Sequence, residues 1–191
     1  GDRLGRLRMF RLGILLIIVG AAITFVGGLL NQFGVILIGR AVEGFGAAFS
    51  IPAATALLLD VFPQLERGGA QGRMMMISMF VTAFAPTVVG LVIQVVAWPY
   101  AFLLTILGAG VTLFLITRVK YDQKKPQPTP FDYVGSVLVF LTVALITIGI
   151  MQGGTDGLTS PNVLMLVGAG LVAGAVLVFL SLRKQYPLIQ F

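Results

Sequence analysis

Six stretches of this chain run for 18 to 26 residues with almost no charge, and no other feature restricts its fold as much. They are Phe10–Leu30, Gly34–Leu59, Gly72–Val96, Tyr100–Thr117, Tyr133–Met151 and Asn162–Leu182. Each reaches the ~20 residues a helix needs to cross the hydrocarbon of a bilayer. None shows the alternating ~10-residue pattern of a membrane barrel strand. In lipid every backbone N–H and C=O must find a partner within its own segment, so each run is predicted to be a helix. The Gly and Pro residues inside several runs fit a helix bundle, where neighbouring helices tolerate them. The expected fold is all-α and polytopic, with six transmembrane helices.

A water-soluble fold is excluded by composition. Hydrophobic residues make up 58% of the 191 positions and charged ones 10%, against ~25% charged in soluble domains. With the bilayer as solvent, the net charge of +6 reads as membrane topology and not as affinity for nucleic acid. Cys and His are both absent, so no disulfide, metal site or cofactor is expected, and proton chemistry falls to carboxylates. There is no G-x-x-x-x-G-K followed by Ser or Thr, so no ATP-binding loop is present and an enzyme is not expected.

The connections test the six-helix assignment independently. Twelve of the thirteen basic residues lie before the first run or at its edge, in the second and fourth connections or at their edges, or after the last run. "NQFG", "AWP" and "QGGTDGLTSP" contain none. By the positive-inside rule both chain ends are expected in the cytoplasm, with the protein in the plasma membrane. The connection from Arg118 to Asp132 carries Pro126, Pro128 and Pro130. Such spacing favours extended backbone and blocks helix continuation. It is the expected boundary, dividing residues 1–117 from 133–191 with 118–132 as connector.

The thirteenth base, Arg40, lies inside the second run, and Glu43 follows three residues later. Residues at that spacing share a helix face. The run starts on the uncharged side, which places Arg40 ~9 Å and Glu43 ~14 Å below its outer end. A charge at such depth costs at least ~2.5–3.5 kcal/mol. Two readings stand open. The charges are a neutralised pair fastening two helices, or Arg40 faces an aqueous cavity while Glu43 binds and releases a proton or meets a cationic substrate. Gly44 and Ala47 are expected to flank this face and to leave the space.

In the third run Thr82, Pro86 and Gly90 recur at spacing four, a narrow stripe suited to a bend and close packing. Met74, Met75, Met76 and Met79 gather at its inner end, as packing filler or as an adaptable ligand surface. Gly170 and Gly174 form a close-packing pair in the last run. The opening "GDRLGRLR" has no signal-peptide core, and its first residue, Gly1, leads to the expectation that the chain is a piece of a longer one. Its arginines are topogenic charges, yet Asp2 and Gly5 among them point to a shaped loop.

Together these residues resemble the major facilitator superfamily, and within it the drug:proton antiporters with fourteen spanning helices. The family loop G-x-L-A-D-R-x-G-R is matched from Gly1 through Asp2, Arg3, Leu4, Gly5 and Arg6. Its helix 4 pattern R-x-x-Q-G-x-G is matched by Arg40, Gly44 and Gly46, with Glu43 in place of Gln. Its helix 5 pattern G-P-x-x-G-G is matched by Pro86 and Gly90, with Ala85 and Val89 in place of two glycines. "FPQLERGGAQG", "AWPYAF" and "FDYVGSVL" resemble the corresponding family loops.

The resemblance implies a partial transporter bundle. Residues 1–117 would be helices 3 to 6 of the N-terminal half, and 133–191 a central helix pair. It implies that Asp2, Arg3, Gly5 and Arg6 form a cytoplasmic gating loop, that Arg40 takes part in proton coupling, and that Pro86 with Gly90 shapes packing for export. The implied partners are a small-molecule substrate, protons, the bilayer and the remaining helices of the parent transporter. The implied activity is export of amphipathic or cationic compounds in exchange for protons. A packing or assembly module without transport of its own is the other reading.

Overall fold

The computed structural model describes residues 5–118, 132–157 and 159–183. They form six long helices, with no strand among the described residues. The helices are α1 (Arg6–Leu29), α2 (Phe33–Val61), α3 (Arg67–Val95), α4 (Ala101–Arg118), α5 (Tyr133–Asp156) and α6 (Pro161–Arg183). A single 3-10 turn, Trp98–Tyr100, precedes α4. Each predicted run falls on one helix, and all six helices are long and apolar enough to cross a membrane.

The ends differ where hydropathy and backbone part company. α3 begins at Arg67 instead of Gly72, because polar residues that leave the bilayer still continue a helix. α5 likewise runs on past Met151 to Asp156. Tyr100 belongs to the 3-10 turn and not to α4.

The chain divides into two compact units, α1 to α4 and α5 with α6. The proline-rich part of the expected connector, 119–131, lies outside the described residues. In the first unit α1 is central and packs on both α2 and α4, while α3 makes few contacts. α1 and α2 run antiparallel, Gly13 meeting Gly46 and Ser50, and Gly20 meeting Gly39 and Glu43. The approach is backbone to backbone. A Cβ added at Gly20 would lie 2.6 Å from the Glu43 nitrogen and 2.7 Å from the Gly39 carbonyl oxygen. Without a hydrophobic drive between helices in lipid, such small-residue seams supply the van der Waals contact that joins them.

The other face of α1 meets the 3-10 turn, where Gly28 packs on Trp98 and Pro99. The Phe25 ring stands edge-on to Tyr100 at 5.5 Å. Trp98 and Tyr100 sit at the end free of basic residues, where amphipathic aromatics suit a membrane–water interface. At the opposite end Arg11 Nη2 donates to the Ile116 carbonyl of α4 at 3.3 Å, satisfying a helix C-terminus.

In the second unit Gly170 approaches Ile146, and Gly174 approaches Thr142, so the close-packing pair read from sequence joins α6 to α5. Asp132 caps α5 by accepting from the Gly135 N–H at 2.8 Å. Outside these seams the helices present exposed Leu, Ile, Val and Phe, such as Leu37, Phe45, Phe140 and Leu171. That is the surface expected of helices solvated by lipid.

Candidate functional site

Arg40 and Glu43 do form a pair, with Arg40 Nη1 donating to Glu43 Oε2 at 2.8 Å. The Glu43 side chain is 14% exposed and that of Arg40 58%. The difference follows from their positions on α2. Glu43 lies on the seam toward α1, between Gly39 and Gly46, whereas Arg40 is rotated off it. The small residue that makes room for the Glu43 side chain is therefore Gly20 on α1, while Gly39 and Gly46 on α2 let the two backbones approach. The expectation placed Gly44 and Ala47 there instead. Gly44 is exposed, and a Cβ added to it would touch nothing. Two faces of α2 carry small residues, and periodicity alone does not say which one receives a neighbour.

Two further residues complete the cluster, and neither was legible in the sequence. Thr24 of α1 is fully buried. Its hydroxyl lies 2.9 Å from the Gly20 carbonyl oxygen and 3.4 Å from Glu43 Oε1. Phe102 of α4 offers its ring face to the Arg40 guanidinium at 4.8 Å. The same ring stands nearly perpendicular to that of Trp98, with centroids 6.2 Å apart. Since α2 and α4 each pack on α1 and not on one another, Arg40 is the side chain that reaches between them. A cation over an aromatic face gains about 0.5–2 kcal/mol. That is less than its insertion cost, so Glu43 remains the principal partner.

A second charged cluster closes the basic end. Arg6 of α1 binds Asp60 of α2 at 2.7 Å and donates to the Ala56 carbonyl. Asp60 was missed because its partner lies far away in sequence, across a turn. Gly5 has φ 84° and precedes α1 directly. This left-handed conformation favours glycine at the position that leads into α1. Asp2 and Arg3 lie outside the described residues.

Next to Arg6 is a groove of about 440 Å³ lined by Met9, Ala48, Phe49, Pro52 and Ala56. Pro52 interrupts α2 here. It has no N–H, so it leaves the Ala48 carbonyl without its usual helical partner.

The third predicted feature is not drawn into either cluster. Thr82 and Pro86 are exposed on α3, and a Cβ added at Gly90 would meet nothing within contact distance. The stripe has no neighbour among the described residues. Met75, Met76 and Met79 are exposed as well. The described residues include no group of acids that could hold a metal.

Comparison with known proteins identifies the family. The model of the Major Facilitator Superfamily matches residues 1–188. The chain belongs to that superfamily. It is a multi-pass membrane protein of a transporter family whose members include drug efflux pumps. The drug efflux pump JefA of Mycobacterium tuberculosis is 32% identical over 188 residues, covering 97% of this chain and 36% of its own length. The MFS-type transporter YhcA of Bacillus subtilis is 27% identical over 189 residues, covering 99% and 35% respectively. The quinolone resistance protein NorB of Staphylococcus aureus is 26% identical over 191 residues, covering 100% and 41%. The chain thus spans 35% to 41% of the lengths of these facilitator relatives.

Proposed function

We propose that this chain is the proton-coupling part of a secondary transporter that exports small amphipathic or cationic compounds in exchange for protons. The reading places the transporter in the plasma membrane with both described units starting and ending on the cytoplasmic side. One observation carries it. Glu43 is an almost buried carboxylate, held by Arg40 at 2.8 Å within a membrane-spanning helix. An ionisable group in such a place is functional by default. A carboxylate that exchanges its charge by taking a proton can drive a two-state cycle, which a purely apolar seam cannot.

The relatives named as a drug efflux pump and as a quinolone resistance protein support the substrate class. Arg6 with Asp60 acts in this reading as a clasp at the cytoplasmic end. Alternating access requires two repeats moving about a midplane site. The chain is therefore assigned to work together with the further length its relatives have, Pro86 and Gly90 offering a packing face to those helices.

The test is proton-driven efflux in proteoliposomes by a polypeptide that includes this chain and that further length. Efflux of a lipophilic cation should follow an imposed proton gradient. Glu43→Gln and Arg40→Ala should each remove that dependence. Efflux that still follows the gradient in both variants would end the proposal. The sparse packing of α3 favours a second reading, a packing or assembly module with no transport of its own. Substrate flux across liposomes by the 191-residue chain alone would exclude it.

A further inference from the structure

The buried Thr24 hydroxyl facing Glu43 has no assigned part in the site as described so far. Its geometry is informative because a hydroxyl carries one hydrogen and two acceptor lone pairs. Two acceptors compete for that hydrogen, the Gly20 carbonyl oxygen at 2.9 Å and Glu43 Oε1 at 3.4 Å. Hydroxyls normally bond oxygen at ~2.7–2.8 Å, and bonds to a carboxylate are shorter still, at ~2.5–2.7 Å. The distance to Glu43 fits neither case.

The distance to Gly20 does fit, and it repeats along the protein. Thr82, Thr112 and Thr142 each return their hydroxyl hydrogen to the carbonyl four residues earlier, at 2.8, 2.8 and 2.7 Å. This back-bond is the ordinary habit of threonine within a helix. The Thr24 hydrogen therefore belongs to Gly20, and the hydroxyl turns a lone pair toward Glu43.

Two acceptor oxygens then face each other across 3.4 Å. They repel while Glu43 is ionised, and they form a bond once Glu43 Oε1 carries a proton. The other carboxyl oxygen is already taken, since Arg40 donates to Oε2 and can only donate. Each oxygen of Glu43 has a partner suited to one state.

We propose that Thr24 is the positioning residue of the Glu43 proton site, its hydroxyl accepting the hydrogen bond from protonated Glu43 Oε1. The proposal rests on the reading of Glu43 as a proton carrier. The proton comes from the aqueous phase and adds to Oε1. The carboxylate becomes a neutral acid, which donates to Thr24 Oγ1 while Oε2 still accepts from Arg40. Arg40 keeps its charge, now without a full counter-charge, over the Phe102 ring. Arg40 is the charged group that faces the acid from α2. The facing stretch of α1, from Gly20 to Gly28, has no titratable residue. The 3-10 turn and the start of α4 have only Tyr100, whose ring meets Phe25.

The test is infrared difference spectroscopy, acid minus alkaline, on the 191-residue chain in lipid nanodiscs. Glu43→Gln identifies the carboxylic-acid carbonyl band of Glu43 among those of the chain's other acids. Thr24→Val, which keeps the shape and removes both donor and acceptor, should move that band to higher wavenumber. Thr24→Ala should do the same without any added bulk against Gly39, and Thr24→Ser should restore the original position. A Glu43 band that stays in place in both Thr24→Val and Thr24→Ala overturns the role of Thr24 and leaves the proton site standing. Absence of any band lost in Glu43→Gln overturns both, since Glu43 then carries no proton.

Discussion

α2 and α3 both carry small residues at helical spacing, and their surroundings are opposite. On α2, Gly39 and Gly46 press against the backbone of α1. On α3, Gly90 faces open space, with Thr82 and Pro86 exposed above it. Both stripes would admit a close neighbour. What separates them is a partner in register: Gly13 and Gly20 of α1 match Gly46 and Gly39, and no described helix presents such a row to α3. A small-residue stripe in a membrane helix records permission for close approach and does not by itself make the contact.

The largest expected effect tests the closed seam. In Gly20→Val the new Cβ meets the backbone nitrogen of Glu43 and the carbonyl oxygen of Gly39, and neither can rotate away. Overpacking of this kind costs about 1–3 kcal/mol, and this site belongs at the upper end. Thermal unfolding in lipid nanodiscs should show a large loss of stability, and an unchanged midpoint would mean that α1 and α2 are not in close contact.

A smaller effect asks whether charges or glycines hold the pair. Arg6→Ala and Asp60→Asn each open the clasp at the basic end, where Arg6 is partly exposed. Pairs of that kind contribute up to about 1 kcal/mol. Losses as large as that of Gly20→Val would transfer the main role from the seam to the clasp. The smallest effect belongs to α3. Gly90→Ala adds a methyl group to empty space and removes a weak helix former, so stability should hold or rise by up to about 1 kcal/mol. A clear loss in the same assay would reveal a neighbour on that face and dissolve the contrast.

Much of this was legible in the sequence. The six helices followed from the length of the apolar runs, because hydrocarbon leaves a continuous apolar segment little choice but helix. Arg40 and Glu43 were legible as a pair because three residues on a helix return to the same face. Their surroundings were not. Thr24, Phe102 and Asp60 reach the clusters from other helices, and a pattern within one helix contains no information about what stands opposite. The same limit explains why Gly44 and Ala47 were expected where Gly39 and Gly46 are found. The helix ends shifted for a different reason, since hydropathy marks where lipid stops and not where the backbone stops coiling.

Pro52 interrupts the hydrogen bonding of α2 between Glu43 and Asp60, which lie about 25 Å apart along the helix at ~1.5 Å per residue. In an isolated helix this would be a hinge. Here α1 lies across it, fastened on one side by Gly13 against Gly46 and Ser50, and on the other by Arg6 on Asp60. α1 is thus a splint. With α1 seated on both sides of Pro52, the two segments of α2 that it separates share one partner, and the acid and the clasp are held against the same helix.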